Sequence, residues 1–356
     1  MPRYHYALMQ EIATFATPLG RLPIETIFLG GGTPSTWPDE LLLDMGGTLK
    51  ALFELVPGYE MTIEVNPGTV RREQFPLWKE VGINRLSIGV QSVNEKVLQN
   101  LNRHQSTAQV TSLLEDASRS FDNLSIDLII GLPGVSDEQW RAMLTELGAW
   151  PIRHVSVYFL TVHEGTALYY RVQQNDLFLP PDDTIVDLYL WTVDQLAAHG
   201  FVQYEVSNFA RPEGECRHNK AYWQRTSYRG FGVGAWSFDG THRFANVRTL
   251  DEYLARMEAG HDPQGTTEEL SADQIWMERI MLALRQKMGI ARDTLFADAN
   301  AERAKALETL LTQLITTGRL KQHDDRYLLT PAGLAMANEI VVRLVDLTTK
   351  PLANVI

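Results

Sequence analysis

Five short apolar runs, each leading into a helical stretch, constrain this 356-residue chain more than any other feature. Ile27–Leu29, Met61–Val65, Arg85–Gly89, Ser125–Ile130 and His154–Leu160 read as strands. They are short and nearly continuously apolar, as expected of parallel strands covered on one face by helices. Pro38–Leu55, Arg72–Glu80, Asn94–Leu101, Thr107–Ser120 and Asp137–Ala149 read as the helices between and after them. This alternation predicts an α/β fold, a partial parallel barrel over residues 1–165. Such sheets bind their ligands at the C-terminal ends of the strands.

The first of these strands opens into Gly30-Gly31-Gly32-Thr33-Pro34. Glycines without a Cβ let a carboxylate, an amine or a phosphate reach bare backbone. A tight strand-to-helix turn is the structural alternative. The spacing is neither G-x-G-x-x-G nor G-x-x-x-x-G-K-[ST], so neither nucleotide-binding motif applies. Polar residues recur at the following strand ends: Glu64, then Gln91 with Ser92, then Asp127. A charge in a buried strand is costly unless it is paired or bound to something. Pairing with Arg85 or Arg103 would satisfy these residues structurally, whereas a shared ligand site would use them.

The remainder divides into a connecting, aromatic-rich region over 166–265 and a C-terminal module over 266–356. The module reads helix (Ala272–Lys287), helix (Asn300–Thr317), hairpin (Leu320–Leu329), helix (Pro331–Val345), a winged-helix-like order. The formal net charge of −12 favours packing or a lid over nucleic-acid binding. No apolar run is long enough to span a membrane, and the N-terminus lacks a signal-peptide layout. The single cysteine, Cys216, excludes an internal disulfide and suits a reducing cytoplasm.

Gly30–Ser35, Ile63–Gly68, Arg85–Ser92 and Asp127–Gly134, in that order, resemble the radical S-adenosylmethionine (SAM) family of oxygen-independent coproporphyrinogen III dehydrogenases and their haem-chaperone relatives. The resemblance covers essentially the whole chain. It implies that Gly31, Gly32 and Thr33 hold the amino group of SAM. It also implies that Glu64, Gln91, Arg103 and Asp127 reach the methionyl and ribose polar groups. A second segment, Glu215–Trp223, contains His-Asn-x-x-Tyr-Trp and resembles the haem-chaperone (HemW) branch more than the dehydrogenase branch. That implies haem as a ligand, with His218 on the iron and aromatic rings on the porphyrin. Taken alone, a histidine beside aromatics is a satisfied structural residue, and Cys216 is either a ligand or a buried thiol.

Members of that family begin with a strand and a CxxxCxxC loop whose thiolates hold a [4Fe–4S] cluster. Here no cysteine precedes the glycines, and Tyr4–Phe15 reads as the helix that follows the loop. The resemblance therefore implies a missing first strand and missing cluster ligands, through a shortened chain or loss of the cluster. Ile27–Leu29 is then expected at an exposed sheet edge, and these residues are not expected to support radical catalysis. The expected function is a cytoplasmic haem chaperone that passes haem to an acceptor protein at the membrane. The alternatives are a coproporphyrinogen III dehydrogenase and a degenerate, cluster-free scaffold.

Overall fold

A computed structural model of the chain describes residues 1–100, 103, 105–297 and 299–348. Five parallel strands lie side by side in chain order: β1 (Pro23–Leu29), β2 (Glu54–Val65), β3 (Arg85–Gln91), β4 (Asn123–Ile130) and β5 (His154–Phe159). Two short antiparallel strands, β6 (Val202–Gln203) and β7 (Asn208–Ala210), complete the sheet, with β7 against β5. The sheet therefore continues past the expected boundary at 165. β1 pairs with β2 alone and forms one edge, as expected.

The helices of this half are α1 (Pro2–Ala16), α2 (Asp39–Leu52), α3 (Phe75–Val81), α4 (Glu95–Asn100), α5 (Thr107–Ser118) and α6 (Asp137–Leu147). Ser106 with Gln109 and Ser136 with Gln139 form capping boxes that start α5 and α6. Leu101, expected in α4, lies outside the described residues. Two more helices, α7 (Ala167–Gln173) and α8 (Asp182–Ala198), follow β5.

One expectation needs correction. The strands are less continuously apolar than they read, because polar residues alternate in on one face. Ile63, Leu86, Ile126 and Val155 are fully buried among Trp78, Leu114, Leu144 and Leu196 in the main core. Their neighbours Glu64, Ser87, Ser125 and His154 stand in register on the other, inner face. The helices between the strands cover the outer face, so burial there drives assembly, at about 1.5–3 kcal/mol per large apolar side chain. A second correction concerns β2, which begins at Glu54 rather than Met61. Its register on β1 jumps from Ile24↔Leu55 to Thr26↔Glu60, a bulge containing Pro57 and left-handed Gly58.

Beyond β7 come α9 (Arg217–Trp223), β8 (Trp236–Phe238), β9 (His242–Asn246), α10 (Leu250–Glu258) and β10 (Gln264–Glu269). The three strands form a second antiparallel sheet. The C-terminal module keeps the expected helix, helix, hairpin, helix but adds a strand and a short helix after the first helix and divides the last: α11 (Ala272–Leu284), β11 (Ile290–Ala291), α12 (Arg292–Phe296), α13 (Ala301–Thr316), hairpin strands β12 (Leu320–His323) and β13 (Arg326–Leu329), α14 (Pro331–Ala335) and α15 (Ala337–Thr348). It has its own core, with Ile280, Leu307 and Leu344 fully buried. Residues 349–356 of the expected module lie outside the described residues.

Buried carboxylates join these parts. Glu11 of α1 accepts from Tyr253 Oη at 2.6 Å, Asn246 Nδ2 at 2.7 Å and Gly232 N at 2.8 Å. Glu278 of α11 pairs with Arg225 and Arg243. Glu205 is bridged to Gln286, and Lys287 N donates to Tyr204 O at 2.9 Å. Glu205 is 1% exposed, and burial pushes its carboxyl up to about 7, although Ser207 N–H favours the anion.

This has a sign. As pH rises from about 4.5 to about 7, the unfolded chain releases this proton while the folded chain keeps it, so stability falls through that window. Urea unfolding should show a loss of up to about 3 kcal/mol from this residue. Glu205→Gln should flatten that part of the profile; a variant profile parallel to wild type would rule Glu205 out as its source.

Candidate functional site

Side chains two apart on a strand share a face, and in-register neighbours stand in rows across it. Glu64, Ser87 and Ser125 form one inner row; Asp127, Ser156 and Asn208 form the next, nearer the C-terminal strand ends. The glycine loop after β1 opens onto these rows. Gly31 and Gly32 have φ of +80° and +62°, with nothing within 4 Å of where a Cβ would stand. A side chain there would be strained, and the bare backbone faces open space. Gly31 N donates to Glu64 Oε2 at 3.0 Å. Burial raises the Glu64 carboxyl above its ordinary range, the Gly31 bond offsets part of this, and Asp127 adds to the rise.

Asp127 accepts from Ser87 Oγ at 3.2 Å and from Ser156. Burial raises its carboxyl too, against these bonds and the attraction of Arg85 and Arg103. Gln91 has φ of +64°, a left-handed conformation that is uncommon for a residue with a side chain. A Cβ on Gly89 would stand 3.1 Å from Gln91 Nε2 and 3.5 Å from Arg103 Nη1. Gly89 thus leaves space beside both the amide and the guanidinium. Thr33 lies exposed beyond Gly32, and its carbonyl accepts from Thr36 N.

The strand-end residues therefore gather at one mouth. The period-two pattern inside the apolar runs was the signal for three partners that the sequence reading missed, Ser87, Ser156 and Tyr158; Asn208, on a short strand outside those runs, had no such signal. Tyr158 is one row further out, 42% exposed, with its phenol hydrogen-bonded to Ser156. Deeper in, Thr62, Arg85 and Asn123 stand in register. Thr62 Oγ1, Arg85 Nε and Asn123 Oδ1 are buried without a partner among the described residues. Arg85 is 1% exposed and does not close a salt bridge to a strand-end carboxylate among those residues.

His218 sits elsewhere on the inner face, in the first turn of α9. Glu60, 5% exposed on β2, holds the start of that helix. It accepts from Cys216 Sγ at 3.4 Å, Arg217 N at 3.1 Å and His218 N at 3.1 Å. The His218 ring stacks on Phe28 of β1, with centroids 5.2 Å apart and planes at 26°. Its Nδ1 lies 2.8 Å from Thr26 Oγ1 and its Nε2 3.0 Å from Tyr222 Oη. Burial lowers the His218 pKa, which favours the neutral ring. Phe28 also borders the mouth: a Cβ on Gly30 would stand 2.8 Å from Phe28 Cε1 and 3.1 Å from Glu64 Oε1.

The loop and strand ends fit SAM. The bare backbone of the glycine loop, carboxylates, an amide and an arginine match its ammonium, ribose hydroxyls and carboxylate. A [4Fe–4S] cluster does not fit. Cys216 is the chain's one cysteine, fully buried against Glu60, and burial pushes its thiol up to about 11. No group of three or more His, Cys, Asp or Glu among the described residues is arranged to hold a metal ion.

The radical SAM superfamily model matches residues 2–147, and the HemN C-terminal domain model matches 270–336. The haem chaperone HemW of Mycobacterium tuberculosis is 34% identical over 340 residues, covering 95% of this chain and 85% of that protein. HemW of Bacillus subtilis is 32% identical over 343 residues, covering 95% and 89%. The solved structure of coproporphyrinogen III oxidase from Escherichia coli is similar with a TM-score of 0.79 and 23% identity, covering 96% of this chain and 82% of that one. It shares the fold. With HemW relatives matched over nearly its whole length and a radical SAM half-barrel beneath the glycine loop, the chain belongs to the HemW family of the radical SAM superfamily.

Proposed function

We propose that this protein is a haem chaperone that takes haem up at Cys216–Trp223 and passes it to an acceptor protein at a membrane. The observation that carries this reading is His218 itself. Burial favours its neutral imidazole; it lies on a helix anchored to the sheet, with side-chain hydroxyls at both nitrogens and the Tyr222 ring edge-on against it. A neutral ring nitrogen supplies the lone pair that iron takes, and aromatic rings cover a porphyrin face. The names of the M. tuberculosis and B. subtilis relatives support the same reading.

In this proposal the strand-end site holds SAM. Gly31, Gly32 and Thr33 receive its ammonium, Arg103 its carboxylate, and Glu64, Gln91 and Asp127 its remaining polar groups. These residues bind and orient SAM. Residues 1–165 carry the SAM-type site, 166–265 the haem segment, and 266–356 a packing or lid module. Among the described residues no helix is long and apolar enough to cross a membrane. In this proposal the acceptor is met by docking, from the cytoplasm.

Two measurements test the two sites separately. Gly31→Val and Asp127→Ala should each weaken SAM binding by about tenfold in titration calorimetry, with circular dichroism unchanged. Wild-type affinity in both variants would leave the strand-end residues as structural pairs. His218→Ala should abolish or shift the Soret band of added haemin, whereas His5→Ala and His163→Ala should not. A wild-type spectrum in His218→Ala would return the histidine to a purely structural role.

A further inference from the structure

The surroundings of the His218 ring deepen this reading, on which the inference below rests. A neutral imidazole carries one N–H, so it donates at one nitrogen and accepts at the other. Both of its partners are hydroxyls, and each could act either way. Their chemistries differ, however. A phenol is the more acidic donor, and its oxygen shares its lone pairs with the ring. An aliphatic hydroxyl is the weaker acid and the better acceptor. The better match has His218 Nδ1–H donating to Thr26 Oγ1 at 2.8 Å and Tyr222 Oη–H donating to His218 Nε2 at 3.0 Å.

The two partners also differ in how firmly they are held. Thr26 belongs to β1, in register with Glu60, the carboxylate that fastens the first turn of α9. The backbone of His218, its ring face on Phe28 and its Nδ1 are therefore all fixed to one sheet edge. Tyr222 lies four residues along α9, on the same helix face, and is 43% exposed. Its ring rests edge-on against Tyr228, with centroids 4.7 Å apart. One nitrogen of His218 thus points at rigid sheet, and the other is covered by an exposed phenol.

We infer that Thr26 is a positioning residue that sets the Nδ1–H form of His218, and that Tyr222 is a displaceable cover over Nε2, the atom that takes the iron of haem. An N–H donated to a fixed acceptor orients a metal-ligating histidine and raises the basicity of its other nitrogen. Haem entry exchanges the Tyr222 hydrogen bond for iron coordination and leaves the Thr26 bond in place. The i, i+4 spacing of histidine and tyrosine then has a use beyond contact with the porphyrin.

The test uses the full chain with haemin as the probe. Without haem, 15N-histidine spectra of wild type should place the proton of His218 on Nδ1; a proton on Nε2 overturns the inference. With haemin, Thr26→Val should keep a histidine-ligated Soret band, lose about tenfold in affinity and shift the ferrous iron–imidazole stretch in resonance Raman spectra. Thr26→Ser should restore both. Tyr222→Phe keeps the ring and removes the hydroxyl, so haemin should associate roughly fivefold faster, the equivalent of one neutral hydrogen bond. If Thr26→Val keeps wild-type affinity and stretch while His218→Ala has lost the band, the positioning role falls and the haem-ligand reading stands. If His218→Ala keeps the wild-type band, both fall.

Discussion

A carboxylate on the inner face of a parallel strand must find donors, and most of what is distinctive here follows from where Glu60 finds them. Sheet hydrogen bonds occupy the backbone of β2, so its side chain takes the thiol of Cys216 and the first two N–H groups of α9. One side chain thereby does the work of a helix cap and fastens the connecting region to the barrel. Leaving such a group unpaired would cost several kcal/mol. Glu11 and Glu278 act similarly at the other two junctions, each gathering donors from elements far apart in sequence. The polar inner face, which no outer helix can cover, is closed by segments held through carboxylates, with a small apolar cluster of Ala7, Tyr253, Leu254 and Met257 beside Glu11.

The order of elements was legible because strand-to-helix alternation leaves a strong local trace. The glycine loop was legible because three glycines in a row serve few local purposes. The rows across the sheet were harder. In Ser125-Ile126-Asp127-Leu128-Ile129-Ile130 the inner Ile129 breaks the polar alternation, so the run reads as nearly continuously apolar. Glu60 was hidden by Pro57 and Gly58, which read as a loop and are in fact a bulge inside a long strand. Gln91 gave no sign of its left-handed backbone, since an amide at a strand end is ordinary. The pairing of His218 with Thr26 joins residues 192 positions apart and has no local trace at all.

Cys216 illustrates how packing decides chemistry. As a residue type it could have been a ligand; behind α9, donating to a carboxylate, it is held as a neutral thiol. The same burial that makes it useful to Glu60 removes the thiolate that metal chemistry requires.

Phe28 has a consequence of a different kind. One face of its ring carries His218, while its edge abuts Gly30 beside Glu64. The glycine mouth and the histidine segment therefore share a wall. A side chain added at Gly30 would press on that ring, and a smaller residue at Phe28 would loosen both neighbours. Positions 28, 30 and 218 form a single unit of variation: substitutions among them should combine non-additively, and lineages that alter one should be found to have altered the others.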